Sequence, residues 1–397
     1  LKSTMQLLLD AIGRGFDGGT LEFVAGDETW TLGRGEPHAR VLLRDASVLR
    51  DILVRPSLKF GETYMDQGWE PADGDLLRVL EVGLKFEDNL EHRMKGRRVR
   101  ALLAQMMELN NPLASQHNVE HHYNLDADLY RRFLDEGMFY SCAYFAQPEL
   151  TLEAAQQAKC ALIARKLDLK PGARVLDIGC GWGGLAIHLA QHHGVHVTGI
   201  TLSSEQLAIA QESIDTLGLA DRIAFRLEDY RNTEGAFDAV VSVGMFEHVG
   251  RPQYPTFFRR VHELLKPDGT ALIHSIGRLS PPGTGNAWIR KYIFPGGYIP
   301  AASETLAVIE KSGLLLNDLE VWRLHYAQTL AHWTRRFQAE RQHFADTLGE
   351  RFCRMWEFYL HASEASFRWG GLSVFHLQLT RQLERLPLTR DYLYAPP

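Results

Sequence analysis

Cysteine is scarce. The chain has four in 397 residues, Cys142, Cys160, Cys180 and Cys353, with no C-x-x-C pair and no zinc-like spacing. That excludes a cysteine-ligated metal centre of the usual kind, and a reduced, cytoplasmic protein without a bound metal is the simplest reading. No apolar run is long enough to span a bilayer, and the first residues show no cationic-then-apolar signal pattern. Basic charge is not in excess either. Lys and Arg number 43 against 49 Asp and Glu, for a net charge of -6 and a pI near 6.3, which argues against nucleic acid as a partner. Repeats and low-complexity stretches are also lacking. What remains is 45% hydrophobic and 23% charged, the make-up of a soluble globular protein with a sizeable core. Its length favours two domains.

Residues 1–85 read as a small α+β domain. Short β-type segments at Thr20–Val24, Thr29–Leu32 and Ala39–Leu43 are followed by helical patterning around Ser47–Val54 and from Asp75 to Val82. Residues 86–118 read as a helical linker holding the cationic run Arg93–Arg100, followed by the apolar residues Ala101–Met107. Such a pair can dock on a membrane surface, although composition alone favours a solvated linker helix, since short charge runs are common. Residues 119–397 then form the third segment. After helices at Asp126–Glu136 and Leu152–Leu167, strands and helices alternate. The strands are Arg174–Ile178, His196–Thr201, Ile223–Leu227, Ala239–Val243 and Thr270–Ser275, and the helices are Leu185–His192, Ser204–Leu217 and Tyr254–Leu265. Alternation with short connections predicts right-handed crossovers and a doubly wound parallel sheet, with ligands off the carboxyl ends of its strands. A Pro/Gly-rich, aromatic stretch at 281–298 reads as a lid or a passage for substrate. The remainder carries helical patterning, notably Ala327–Thr347 and Glu350–Ala362.

One run organises the chain: Val175-Leu176-Asp177-Ile178-Gly179-Cys180-Gly181-Trp182-Gly183-Gly184. It is a strand ending in a glycine turn that opens into a helix, where backbone can approach a ligand closely. Gly179, Gly181 and Gly184 match the dinucleotide fingerprint. Asp177, Gly179, Gly181 and Gly183 match the acidic-x-G-x-G-x-G turn of S-adenosylmethionine (SAM) methyltransferases. A nicotinamide site wants an acidic residue at the end of the second strand, and Val197–Ser203 has none. Gln206, one turn into the next helix, is the alternative grip on a ribose. Glu228 and Asp229 close the third strand, where an adenine amino group is commonly met. Glu247 and His248 follow the fourth strand, and His274 ends the fifth. One such group alone is ordinary structure, whereas several converging on one crevice suggest a site.

At these residues the chain resembles the cyclopropane-fatty-acyl-phospholipid synthase family and its mycolic acid cyclopropane synthase relatives. The matching segments are Tyr140–Phe145, Val175–Gly184, Gly199–Ser203, Gly244–Gly250, His274–Gly277, Phe294–Gly297 and His325–Leu330, with Gly61–Asp66 extending the likeness into the N-terminal domain. The segment His122–Asp128 departs from the family pattern. The resemblance implies a class I SAM-dependent methyltransferase, a Rossmann-like α/β fold with a smaller N-terminal α+β domain. It implies a SAM site built from Tyr140, Ser141, Val175, Asp177, Gly179, Cys180, Gly181, Trp182, Gly183, Thr201, Leu202, Ser203, Gln206, Glu228 and Asp229. It further implies bound bicarbonate, held by Cys142, Glu247, His274, Ile276 (through its backbone) and Tyr326.

The implied reaction adds a methylene from SAM across the cis double bond of an unsaturated phospholipid acyl chain. Ring closure needs a base in a dry site, which bicarbonate would supply. Tyr140, Tyr144 and Phe246 either stabilise positive charge on the acyl chain or simply pack. The expected setting is the inner face of a membrane, with peripheral attachment and a homodimer. Two other readings stand beside this one. A related methyltransferase would make methyl-branched chains or act on a small acceptor, and an inactive lipid-binding protein would do neither.

Overall fold

The computed structural model describes residues 2–93, 127–283 and 285–394. The cationic run beyond Arg93, the apolar residues after it, most of the expected linker and the segment His122–Asp126 lie outside the described residues. Two compact units form. The first comprises the described residues of Leu1–Ala104, Thr284–Phe294 and Leu330–Leu372, and the second those of Gln105–Gly283, Pro295–Thr329 and Ser373–Pro397. The sequence boundaries at 85 and 118 are contiguous, while the first unit takes in two later segments.

The first unit contains α1 (Lys2–Ile12), β1 (Gly19–Ala25), β2 (Glu28–Arg34), β3 (His38–Leu43), α2 (Ala46–Val54), α3 (Pro56–Met65), β4 (Trp69–Pro71) and α4 (Leu76–Arg93). Its sheet runs β2-β1-β3-β4. β3 alternates strictly between exposed and buried positions, as a strand with one solvated face must. The stretch Leu58–Trp69, read only as aromatic and glycine-rich, is largely helix α3. It starts on Pro56, whose fixed φ suits the first turn. A Cβ on Gly61 would sit 2.6 Å from the Trp288 ring, so glycine is what lets that tryptophan seat. Trp288 also donates to Met65 Sδ at 3.2 Å. The expected lid at 281–298 therefore spends its central aromatic on packing within this unit.

The second unit is built on α5 (Ala127–Phe133), α6 (Leu152–Leu167), β5 (Arg174–Ile178), α7 (Gly184–His193), β6 (His196–Thr201), α8 (Ser204–Leu217), β7 (Ile223–Leu227), β8 (Phe237–Val243), α9 (Tyr254–Leu264) and β9 (Leu265–Arg278). Beyond these come α10 (Ala287–Tyr292, in the first unit), α11 (Ala302–Ile309), β10 (Leu315–Trp322), α12 (His325–Ala339) and β11 (Leu372–Thr380). The sheet order is β10-β11-β9-β8-β5-β6-β7. Pairs β5–β6, β6–β7, β5–β8 and β8–β9 are parallel, and β10–β11 is antiparallel. This is the expected doubly wound, Rossmann-like sheet, and every expected strand from β5 to β9 is present. The strands β10 and β11 were missed because their surroundings pattern as helix. The expected helix Ala327–Thr347 breaks at Glu340, between Ala339 and Arg341.

Order within this unit follows from apolar strands covered on both faces. Burial in β5 rises from exposed Arg174 to four buried residues, as a central parallel strand requires. Ser203 caps α8 by accepting from the Gln206 N–H. Successive strands wind outward from β5 to β7, and the chain then returns to β8 on the other side of β5. The crevice between the ends of β5 and β8 is the point where the winding direction changes.

Candidate active site

A cavity of about 1170 Å³, counting the space at its mouth, opens at that crevice. Its floor is the glycine turn. Gly179, Gly181 and Gly183 have φ of +84°, +56° and +88°, a region that side chains disfavour. A Cβ on Gly179 would meet Met245 Cβ at 2.7 Å, whereas one on Gly181 would point into open space. Gly181 is thus a bare stretch of backbone left for a ligand. Helix α7 begins here with no side-chain cap, so its first N–H groups remain for a ligand too.

Of the residues expected at a SAM site, Tyr140, Ser141, Asp177, Gly179, Cys180, Gly181, Trp182, Thr201, Leu202, Gln206, Glu228 and Asp229 line this one cavity. Val175, Gly183 and Ser203 do not. Val175 is fully buried in the core, Gly183 closes on Phe225 and Ala210, and the Ser203 hydroxyl is spent on its cap. Gly184, set aside in the sequence reading, is on the wall.

The wall groups have defined hydrogen-bonding states. Thr201 donates to Gln206 Oε1 at 2.9 Å, which leaves the Gln206 amide N–H groups for a ligand hydroxyl. Arg231 grips both Asp229 oxygens, at 2.8 and 2.6 Å, so Glu228 is the freer carboxylate at the end of β7. Asp177 is buried, its Oδ2 has no partner, and burial pushes its pKa up to about 7. A SAM molecule fits this set: bare glycine backbone, an unpartnered carboxylate and a carboxylate–glutamine pair for its polar ends.

Sequence reasoning missed Lys159. It lies in the middle of α6, is 1% exposed and lines the cavity. Its Nζ donates to Ser141 Oγ at 2.8 Å and sits 4.1 Å from the centre of the Phe139 ring. Burial lowers its pKa, opposed by Cys160, Asp135, Cys142 and Asp177. The available signal was a lysine on the apolar side of a helix. His248, which with Glu247 was expected just past the fourth strand among the groups converging on the crevice, does face the cavity, and burial lowers its pKa to about 4.

Of the residues expected to hold bicarbonate, Cys142, Glu247, His274 and Tyr326 are buried. The Ile276 N–H donates to Glu247 Oε1 at 2.6 Å, so in this structure that N–H is engaged by the carboxylate itself. Glu247 Oε2 is buried without a partner, and burial pushes the carboxyl up to about 7. His274, two residues before Ile276 on β9, is 1% exposed, and its Nδ1 lies 2.7 Å from His376 Nε2 on β11. Burial holds the His274 pKa well below its ordinary value.

Cys142 is fully buried, which pushes its thiol pKa up. Its Sγ–H donates to the Ala143 carbonyl at 3.3 Å, so it is no poised nucleophile. The Ala143 N–H donates to Thr329 Oγ1 at 3.0 Å, tying the Cys142 segment to the helix turn that carries Tyr326. The rings of Tyr144, Trp322 and His274 make successive contacts of 4.9 and 5.4 Å, linking this segment to the histidine. A buried carboxyl oxygen without a partner on Glu247, whose other oxygen is held by Ile276 two residues along β9 from the His274 imidazole, suits a small oxyanion. Phe246, one of the expected aromatic faces, is instead stacked on Tyr254 at 4.3 Å in the core. Among the described residues no group of three or more His, Cys, Asp or Glu is placed to hold a metal ion.

The chain is similar to known proteins in sequence and in fold. Residues 111–377 match the family model of mycolic acid cyclopropane synthetase. The chain is 39% identical over 352 residues to the cyclopropane-fatty-acyl-phospholipid synthase of Escherichia coli strain K12, covering 88% of this chain and 90% of the relative. It is 36% identical over 379 residues to the tuberculostearic acid methyltransferase UfaA1 of Mycobacterium tuberculosis, covering 91% and 88%. The crystal structure of mycolic acid cyclopropane synthase CmaA1 with SAH and CTAB superposes with a TM-score of 0.64 at 32% identity, over 68% of this chain and 99% of that one. The chain therefore belongs to the mycolic acid cyclopropane synthetase family, as a SAM-dependent methyltransferase.

Proposed function

We propose that the enzyme converts the cis double bond of unsaturated phospholipid acyl chains into a cyclopropane ring, with bicarbonate held by Cys142, Glu247, His274, Ile276 and Tyr326 as the base. The observation that carries this reading is Glu247. One carboxyl oxygen is fixed by the Ile276 N–H, and the other is buried and unpartnered. A methyl transfer to an amine needs no such second group.

When bound, SAM supplies an electrophilic methyl and bicarbonate a small base. The chain's own residues do the rest. Gly179 and Gly181 let backbone close on the donor, and Gln206 and Glu228 orient it so that its methyl faces the alkene. With its pKa near 7, Glu247 can hold a proton at neutral pH and donate it to an anion, which avoids like-charge repulsion. Burial of Cys142, Glu247 and His274 keeps water from positive charge developing on the acyl chain.

Among the described residues no helix is long and apolar enough to cross a membrane. Peripheral attachment at the inner, cytoplasmic face, as a homodimer, fits a bilayer-borne substrate. The test is to incubate the protein with SAM and vesicles of unsaturated phospholipid and to examine the acyl chains. A product heavier by one methylene, with ring protons in its NMR spectrum, is expected. No such product would end the proposal. The second reading, a methyl-branched product, draws on the 36% identity to a tuberculostearic acid methyltransferase. A chain carrying a methyl or methylene branch and no ring would establish it, the methylene form being the product of methyl transfer and proton loss alone and the saturated form requiring a separate hydride donor.

A further inference from the structure

Helix α6 carries two lysines seven residues apart, Lys159 and Lys166, hence on one face. Both are 1% exposed. Lys159 belongs to the donor cavity. Lys166 does not. Its Nζ is paired with Glu320 Oε2 on β10 and lies 3.1 Å from His376 Nδ1 on β11. His376 Nε2 in turn lies 2.7 Å from His274 Nδ1 on β9. A continuous chain, Glu320–Lys166–His376–His274, therefore runs from a carboxylate that still touches solvent to a buried imidazole of the proposed base site.

We propose that Glu320, Lys166 and His376 are positioning residues that fix the tautomer of His274, so that its proton sits on Nε2, the nitrogen left for the reaction. The chemistry of each link dictates this. An ammonium has three donors and no acceptor, so His376 Nδ1 must accept from Lys166. A neutral imidazole has a single N–H, so His376 carries it on Nε2 and donates to His274 Nδ1. The remaining proton of His274 is then on Nε2. The opposite register would set a His376 Nδ1–H against the N–H groups of Lys166, two donors face to face.

The surroundings support neutral rings and a charged lysine. Burial lowers the pKa of both imidazoles well below the usual histidine value, and Lys166, Lys159 and the neighbouring His325 add to this for His376. Burial also lowers that of Lys166, but Glu320 and Asp318 oppose it, Asp318 itself being paired with Arg390. The Trp322 ring lies 3.9 Å from that of His376 and restrains its rotation. The functional consequence rests on the reading of the base site above. An Nε2–H offers an anion a neutral donor, whereas a bare Nε2 would turn a lone pair toward it.

The test begins with 15N-histidine NMR on the full-length wild-type protein. His274 is expected with a protonated Nε2 and an unprotonated Nδ1, and the reverse assignment overturns the proposal. That measurement needs no product, so a protein that makes no ring would fail the functional reading and leave the relay standing. His376→Gln can still accept from Lys166 and donate to His274, and should keep both the tautomer and turnover close to wild type. His376→Leu and Lys166→Met should release the tautomer and lower turnover roughly ten- to a hundredfold, with KM for SAM unchanged. Wild-type turnover in both, or an equal loss of SAM affinity, overturns the relay.

Discussion

The donor cavity and the base site stand on the same sheet but are assembled differently. The cavity is lined mainly by short stretches, 138–141, 177–182, 184–185, 200–202, 228–231, 243–245 and 248–249, with Lys159 and Gln206 added from helices. The base site draws single residues from scattered places: Cys142, Glu247, Ile276, and a histidine held by another histidine on the last strand. The first is open and hydrogen-bonded along its wall. In the second, Cys142, Glu247 and His274 are buried, and each region keeps one carboxylate oxygen without a partner, Asp177 Oδ2 and Glu247 Oε2. A donor shared by many methyltransferases can be held by local motifs, whereas the chemistry done with its methyl depends on groups brought together by packing.

The hardest test of this division is Glu247→Gln. Turnover should fall by roughly a hundredfold or more, the scale of a lost general acid–base group, with SAM affinity by calorimetry unchanged. A matching loss of SAM binding would dissolve the distinction between the two regions. On the other side, Asp177→Asn should weaken SAM binding by roughly tenfold or more, as loss of a charged hydrogen bond does. The ratio of ring to branched product should not move.

A third test uses pH. Burial raises the carboxyl pKa of Glu247 and of Asp177 to about 7, above the ordinary carboxylate value. Each therefore contributes stability that is fully present below the unfolded pKa and lost as pH rises through about 7. Glu247→Gln removes one of the two contributions. The variant should gain on the wild type as pH rises, by up to about 3 kcal/mol between roughly pH 5 and pH 8, followed by denaturant unfolding. A gap that narrows with rising pH would show that Glu247 is not desolvated. The smallest effect is expected for Gln206→Ala, a several-fold loss of SAM affinity on the order of one neutral hydrogen bond, with turnover at saturating SAM retained.

Much of the donor side was legible in the sequence. The glycine run, Gln206 and Glu228 sit at strand ends whose apolar patterns identify them, and the parallel sheet from β5 to β9 follows from the alternation. Lys159 was not legible, since a lysine within a helix ordinarily points to water. Neither was the pairing of Asp229 with Arg231, which leaves Glu228 as the freer acid. The first unit's later segments, among them Trp288 against Gly61, were hidden because contacts over that sequence distance leave no periodic trace.

By itself the sequence determined the parallel sheet, the helix starts and the glycine turn at the switch point, because these depend on apolar periodicity, glycine conformations and caps within a few residues. Only the tertiary structure decided the states of the reactive groups. Glu247 holds a proton near neutral pH because burial strips it of water, and His274 meets His376 because β9 and β11 are neighbours in the sheet. Desolvation and cross-strand hydrogen bonds belong to the packed molecule, and no local pattern in the chain encodes them.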